Sequence, residues 1–169
     1  GSFSLEGLRG IDLKGKTLGV IGTGRIGRNV VRIARGFEMN VIACDISPDD
    51  EFAKEMNMTY CEPLRALQEG DIVTLHVPYT KETHHLINKN NISMMKKGAY
   101  LINTSRGGIV ETEALVKALK DGIWGERRST CLKKKESFKT SLSFSWKAAQ
   151  GSTISKPCWQ TIYCSTCQT

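Results

Sequence analysis

The 169-residue sequence contains no apolar run approaching the roughly 20 residues needed to span a bilayer. Its start, Gly1-Ser2-Phe3-Ser4, lacks the charged-then-apolar pattern of a secretory leader. A cytoplasmic protein without a membrane partner is expected. Metal-ligand spacing is also missing: His84 and His85 are adjacent and point in different directions, with no Cys, Asp or Glu recurring nearby at suitable intervals. Packing and hydrogen bonding are the expected uses of both histidines, and no metal is predicted. Acidic residues run short in one region only. Residues 1–123 hold 16 Lys+Arg against 15 Asp+Glu, whereas residues 124–169 hold 8 against 2. The net charge of +7 therefore belongs to the tail, and no nucleic-acid partner is expected for the rest.

Cysteine divides the same way. Cys44 and Cys61 lie in the first part; Cys131, Cys158, Cys164 and Cys167 lie in the tail. Two isolated cysteines read as reduced, packed thiols. Cys164-Ser165-Thr166-Cys167 has no second pair to complete a zinc or redox site. A hydrophobic content of 40% and this length suit one globular domain with a sizeable core.

Within residues 1–123 the organising stretch is Thr17-Leu18-Gly19-Val20-Ile21 followed by Gly22-Thr23-Gly24-Arg25-Ile26-Gly27. An apolar strand enters a glycine-rich turn that opens a helix. Gly22, Gly24 and Gly27 fit the G-x-G-x-x-G pattern, which permits a tight turn, close backbone approach to a pyrophosphate and close helix–strand packing. The start of the helix would hold the phosphates through free N–H groups and its dipole. Ile26, Val30, Ile33 and Phe37 recur at helical spacing and predict the face turned to a sheet, with Gly36 helping to end the helix. A second strand, Val41 to Cys44, closes on Asp45, 18 residues after Gly27. An acid there can grip the adenosine ribose; alternatively it starts the turn through Ser47-Pro48. No Arg follows Asp45 to pair with a 2′-phosphate, which favours NAD over NADP.

Further along, short helices are expected over Asp49–Met56 and Pro63–Gln68. Asp71 to Pro78 reads as a buried strand whose carboxyl end, His76-Val77-Pro78, would lie on the ligand edge of a parallel sheet. Thr83-His84-His85-Leu86-Ile87-Asn88 leads into a helical segment reaching about Lys97, with Gly98 as its stop. Ala99 to Asn103 is the next strand and delivers Thr104-Ser105-Arg106-Gly107-Gly108 into a loop. A helix through Leu115, Ala118 and Leu119 ends near Asp121-Gly122. Strands alternating with helices specify a Rossmann-type α/β fold, a doubly wound parallel sheet with helices on both faces. Arg106 sits where such sheets bind ligands, and its forked guanidinium suits a carboxylate; a solvated loop arginine is the alternative.

The combination of Gly22-Thr23-Gly24-Arg25-Ile26-Gly27, His76-Val77-Pro78, Thr83 to Asn88 and Asn103-Thr104-Ser105-Arg106-Gly107-Gly108-Ile109-Val110 strongly resembles the cofactor domain of D-isomer-specific 2-hydroxyacid dehydrogenases, nearest their D-lactate dehydrogenase branch. The resemblance covers about residues 5–123. It implies that NAD is the cofactor, with Gly22, Thr23, Gly24, Gly27 and the backbone at Arg25 and Ile26 at the pyrophosphate. It implies Asp45 at the adenosine ribose and His76, Val77, Pro78, Thr83, Thr104 and Ser105 along the cofactor. Arg106 would be the catalytic arginine, binding the carboxylate of a small 2-hydroxy or 2-keto acid and polarising its keto group. A homodimer is implied for the full-length parent. A non-catalytic NAD-sensing module, like the corepressors similar to this family, is the alternative function.

The family also uses a histidine in a Thr-Pro-His segment and a glutamate in an Asp-Val-Leu-Glu segment, and residues 124–169 show neither. A shifted reading frame accounts for this. Ser129-Thr130-Cys131-Leu132 followed by Lys133, Lys134 and Lys135 permits Asp-Val-Leu-Glu-Glu-Glu when each codon gives its last base to the next. Cys158 to Thr169 permits Leu-Ala-Asn-Tyr-Ile-Leu-Phe-Asp-Met-Pro-Asn under the same shift. The expectation is an NAD-binding Rossmann domain over 1–123, incomplete at its C-terminal end, and an out-of-frame, poorly ordered tail over 124–169.

Overall fold

The computed structural model of the protein describes residues 10–121 and the backbone of Cys131 and Leu132. Strands and helices alternate as β1 (Thr17–Ile21), α1 (Arg25–Gly36), β2 (Asn40–Cys44), α2 (Asp50–Glu55), β3 (Thr59–Tyr60), α3 (Pro63–Glu69), β4 (Ile72–Leu75), β5 (Tyr100–Asn103), α4 (Thr112–Lys120) and β6 (Cys131–Leu132). The strands form one sheet in the order β3-β2-β1-β4-β5-β6, and every pairing is parallel. This is the Rossmann arrangement. β1 and β4 are neighbours at its centre, so the chain winds outward from them in both directions. The tail expected over 124–169 lies outside the described residues apart from β6, whose backbone pairs with Ile102 and Asn103.

Parallel sheets covered on both faces are built from nearly continuous apolar strands, and all four residues of β4 are buried. One face packs Leu18, Val20, Val41, Ala43 and Ile72 against Val31 and Ala34 of α1 and Phe52 of α2. The other packs Ile21, Ile42, Val73, Leu75 and Leu101 against Ala66 and Leu67 of α3 and Leu115 and Ala118 of α4. Burying one Val or Leu of this kind contributes about 1.5–3 kcal/mol. Among the described residues no helix is long and apolar enough to cross a membrane.

Three local expectations are corrected. α1 presents Gly27, Val31 and Ala34 to the sheet; of the expected face Val30 packs against the core, while Ile26, Ile33 and Phe37 are 63%, 60% and 55% exposed. The cause is steric. A Cβ at Gly27 would stand 2.0 Å from the carbonyl oxygen of Gly22, so the helix docks on its smallest residues and turns its larger ones outward. Gly36 is the last residue of α1 rather than its terminator, because the left-handed backbone falls on Glu38, at φ 57°. The segment before Lys97 forms only a 3-10 turn over Ile92–Met94. Asn88 and Asn91 divert its backbone into local turns, through Asn91 Oδ1 accepting from Asn88 N–H at 2.9 Å and Asn88 Oδ1 from Asn90 N–H at 2.9 Å.

Candidate cofactor and substrate site

The carboxyl ends of β1, β2, β4 and β5 bring the glycine-rich turn, Asp45, His76-Val77-Pro78 and Thr104-Ser105-Arg106 to one edge of the sheet. Winding reverses between β1 and β4, and a parallel sheet leaves a crevice at that point.

The three glycines of the turn have different reasons to be glycine. Gly22 has φ +96° and would set a Cβ 2.8 Å from the carbonyl carbon of His76. Gly27 allows the close approach of α1 already described. Gly24 has φ −65°, which any residue adopts, and a Cβ there would meet nothing within 4 Å. The fold does not require Gly24, and the space in front of it is open. Gly24 is also the N-cap of α1; among the described residues no side chain caps the helix, and its first turn holds no acidic residue. The unpaired N–H groups of a first helical turn and the positive end of the dipole suit a pyrophosphate. Arg25 and Ile26, the first helical residues, are exposed beside that opening.

Asp45 faces this turn. Its Oδ2 accepts from Thr23 N–H at 2.6 Å and from Thr23 Oγ1 at 3.0 Å, and its Oδ1 accepts from Ser47 N–H at 3.0 Å. The two sequence readings of Asp45 are therefore compatible, since one oxygen starts the Ser47 turn while the other faces the glycine loop. Partial burial pushes the carboxyl upward, but the N–H groups of Ser47 and Thr23 and the Thr23 hydroxyl outweigh it and hold Asp45 below the usual carboxylate range. Thr23 is itself buried and meets the Tyr60 hydroxyl at 3.0 Å. Arg28 braces the turn from behind, donating from Nε to the Thr23 carbonyl at 3.1 Å and pairing with Asp49 at 2.8 Å.

At the end of β4, the ring of His76 lies between two hydroxyls, with Nε2 3.0 Å from Thr74 Oγ1 and Nδ1 3.4 Å from Thr104 Oγ1. Burial lowers its pKa and favours the neutral ring. Val77 is half-buried beside Gly22. Thr83 closes the next loop, donating from Oγ1 to the Pro78 carbonyl at 2.6 Å and accepting from Thr80 N–H at 2.8 Å.

Asn103, at the end of β5 and 1% exposed, organises the arginine loop. Its Nδ2 donates to the Arg106 carbonyl at 3.1 Å and its Oδ1 accepts from Ser105 N–H at 3.0 Å. Ser105 Oγ donates to the Leu75 carbonyl at 3.1 Å, tying the loop to β4. Gly108 is fixed from the far side, where His85 N–H donates to its carbonyl at 2.9 Å and the Tyr79 ring fills the space of a Cβ. Tyr79 bonds His84 Nδ1 at 2.9 Å, and His84 stacks on His85 at 3.8 Å. Both histidines are thus used in packing, and no metal-ligand cluster occurs among the described residues. The Arg106 guanidinium has no partner among them and is exposed. The backbone is held while the charged fork is left available for a carboxylate.

Arg28, Tyr60, Tyr79 and Asn103 escape the sequence reading. A polar residue closing an apolar strand was the available signal for Asn103. The others depend on contacts across the sheet edge that no local pattern encodes.

Comparison with known proteins bears on this geometry. The family described as "D-isomer specific 2-hydroxyacid dehydrogenase, NAD binding domain" matches residues 1–126. A 2-hydroxyacid dehydrogenase homolog of Zymomonas mobilis is 47% identical over 120 residues, covering 70% of this chain and 36% of that protein. A glyoxylate reductase of Thermococcus litoralis is 47% identical over 113 residues, covering 67% and 34%. The chain thus spans about a third of the length of these curated relatives. Among solved structures, the apo D-lactate dehydrogenase of Escherichia coli superposes with a TM-score of 0.70 at 40% identity, covering 76% of this chain and 40% of that one. The NAD-complexed D-isomer specific 2-hydroxyacid dehydrogenase of Lactobacillus delbrueckii ssp. bulgaricus gives 0.60 at 44% identity, covering 64% and 32%. With the turn, the acid after β2 and the arginine after β5 at one sheet edge, the chain belongs to the D-isomer specific 2-hydroxyacid dehydrogenase family, and what it carries is that family's NAD-binding domain.

Proposed function

We propose that the chain serves an oxidoreductase that moves a hydride between nicotinamide and C2 of a small D-2-hydroxy acid resembling D-lactate, with a homodimer as the form of the full-length parent. The supporting observation is the convergence on one sheet edge of a helix start, a carboxylate and a guanidinium, the first without a side-chain cap and the last without a partner among the described residues. NAD, when bound, supplies the hydride acceptor or donor. The first-turn N–H groups of α1 bind its pyrophosphate between Gly22 and Gly27. Asp45 accepts from the adenosine ribose hydroxyls, and its negative charge disfavours a 2′-phosphate. His76, Val77, Pro78, Thr83, Thr104 and Ser105 line the path toward β5, where Arg106 pairs with the substrate carboxylate and stabilises negative charge developing on the keto oxygen.

Arg106 presents a fork of N–H donors and no acceptor, so it cannot take up the proton of the substrate hydroxyl. The three histidines of the chain, His76, His84 and His85, are occupied by the contacts already described. We therefore expect negligible turnover from the 169-residue chain. The test is to resequence the coding DNA from Ile123 past Thr169 and to assay both products for D-lactate-dependent NADH formation. The expected result is that one added base opens a frame through Asp-Val-Leu-Glu and Thr-Pro-His, and that the longer product oxidises D-lactate while the 169-residue chain does not. A present frame with no open alternative, or D-lactate oxidation by the 169-residue chain, contradicts this reading.

A further inference from the structure

Three hydroxyl and carboxylate groups meet at the end of β2 in an arrangement that fixes where each proton lies. Asp45, ionised, can only accept. The proton of Thr23 Oγ1 therefore points at Asp45 Oδ2, 3.0 Å away. A threonine hydroxyl has a single proton, so the 3.0 Å contact between Thr23 Oγ1 and Tyr60 must be donated by the phenol. The result is a directed chain, Tyr60 O–H to Thr23 O–H to the Asp45 carboxylate. Each bond polarises the next. Thr23 is 3% exposed, so its hydroxyl has no water to replace a lost partner.

We propose that Tyr60 is a positioning residue for the cofactor's adenosine ribose, acting through Thr23 to hold the Asp45 carboxylate in the orientation that accepts from the ribose hydroxyls. The inference rests on the reading of Asp45 as the ribose grip. Tyr60 lies on β3, 15 residues beyond Asp45, and reaches it because Tyr60 pairs in register with Ala43 on β2. Without the phenolic hydroxyl, Thr23 loses the donor that fixes its rotamer, and Oδ2 of Asp45 loses a directed hydrogen bond.

The test is binding of NADH to the full 169-residue chain, followed by fluorescence. Two ligands are compared: NADH itself and the analogue whose adenosine ribose lacks both hydroxyls. Tyr60→Phe is expected to weaken NADH about three- to tenfold, the range of one neutral hydrogen bond, and to leave the affinity of the analogue unchanged. Thr23→Val should reproduce this loss, and Thr23→Ser, which keeps the hydroxyl, should restore wild-type behaviour. Equal weakening of both ligands by Tyr60→Phe means a general structural role and overturns the proposal. If Asp45→Ala weakens NADH and Tyr60→Phe does not, the ribose grip stands and the role of Tyr60 falls. If NADH does not bind, or binds equally well to Asp45→Ala, the placement of the cofactor fails and this inference fails with it.

Discussion

Replacing Gly24 or Gly27 by alanine adds the same methyl group to one turn, yet the two changes should have opposite consequences. At Gly27 the added carbon would lie 2.0 Å from the Gly22 carbonyl oxygen, 3.0 Å from its carbon and 3.6 Å from Val20 Cγ1. Its closest neighbour is backbone at the end of a central strand, which cannot yield as a flexible side chain would. Such overpacking costs about 3 kcal/mol, the upper end of the usual range. At roughly 3–4 °C per kcal/mol for a domain of this size, Gly27→Ala should lower Tm by about 10 °C. At Gly24 the methyl meets nothing within 4 Å and the backbone is ordinary. The stability change should stay within about 0.5 kcal/mol. The methyl would instead occupy the space through which a pyrophosphate approaches the start of α1, and NADH affinity should fall more than tenfold. Thermal melts and NADH titrations on both variants read these effects separately. A Gly24→Ala variant that melts early, or a Gly27→Ala variant that melts with wild type, would refute the division of labour among the glycines.

Asp45→Asn should bring the NADPH and NADH dissociation constants at least tenfold closer together, because it removes the charge opposing a 2′-phosphate; titration of both nucleotides measures the ratio. The folded Asp45 carboxyl lies below its ordinary value, so its ionised contacts persist above the unfolded value of about 3.9 and are lost as pH falls through the folded one. NADH affinity should accordingly stay level from pH 8 to pH 5 and decline only below about pH 4. Asn103→Ala leaves the Arg106 carbonyl and Ser105 N–H without their buried partner and should cost about 2–3 kcal/mol, whereas Arg106→Gln should leave the melting temperature within about 2 °C because its guanidinium has no partner among the described residues. Burial, with Cys61 and Asp45 adding to it, pushes the Cys44 thiol up to about 12. Peptide mapping after brief iodoacetamide treatment at pH 8 should find Cys44 unalkylated until the protein is unfolded.

The glycine turn and the strands were legible in the sequence because each depends on local chemistry. Gly22 needs a left-handed backbone, and Ile72 to Leu75 need burial on both faces. The orientation of α1 was not legible. Its apolar stripe, Ile26, Val30, Ile33 and Phe37, pointed to one face, but only Val30 of the four packs against the core, and the contact between Gly27 and Gly22 decided for another face. Spacing alone cannot reveal how closely two backbones approach. The helix expected before Lys97 failed for a related reason, since asparagine side chains offered its backbone alternative partners. Asp45 was singled out by its place after β2, whereas Tyr60 was passed over because its contact with Thr23 depends on the β2–β3 register. Arg106 stood out in the sequence, but Asn103, which holds the arginine's loop, read only as the end of a strand.

On the proposed function, the sheet edge around Gly24 and Asp45 holds NAD. Isothermal titration of NADH into the purified 169-residue chain, with ADP-ribose as competitor, tests it most directly. One saturable site per chain, displaced by ADP-ribose and weakened by both Gly24→Ala and Asp45→Asn, is the predicted result. Absence of saturable binding in a chain that melts cooperatively, or binding indifferent to both substitutions, would contradict the account.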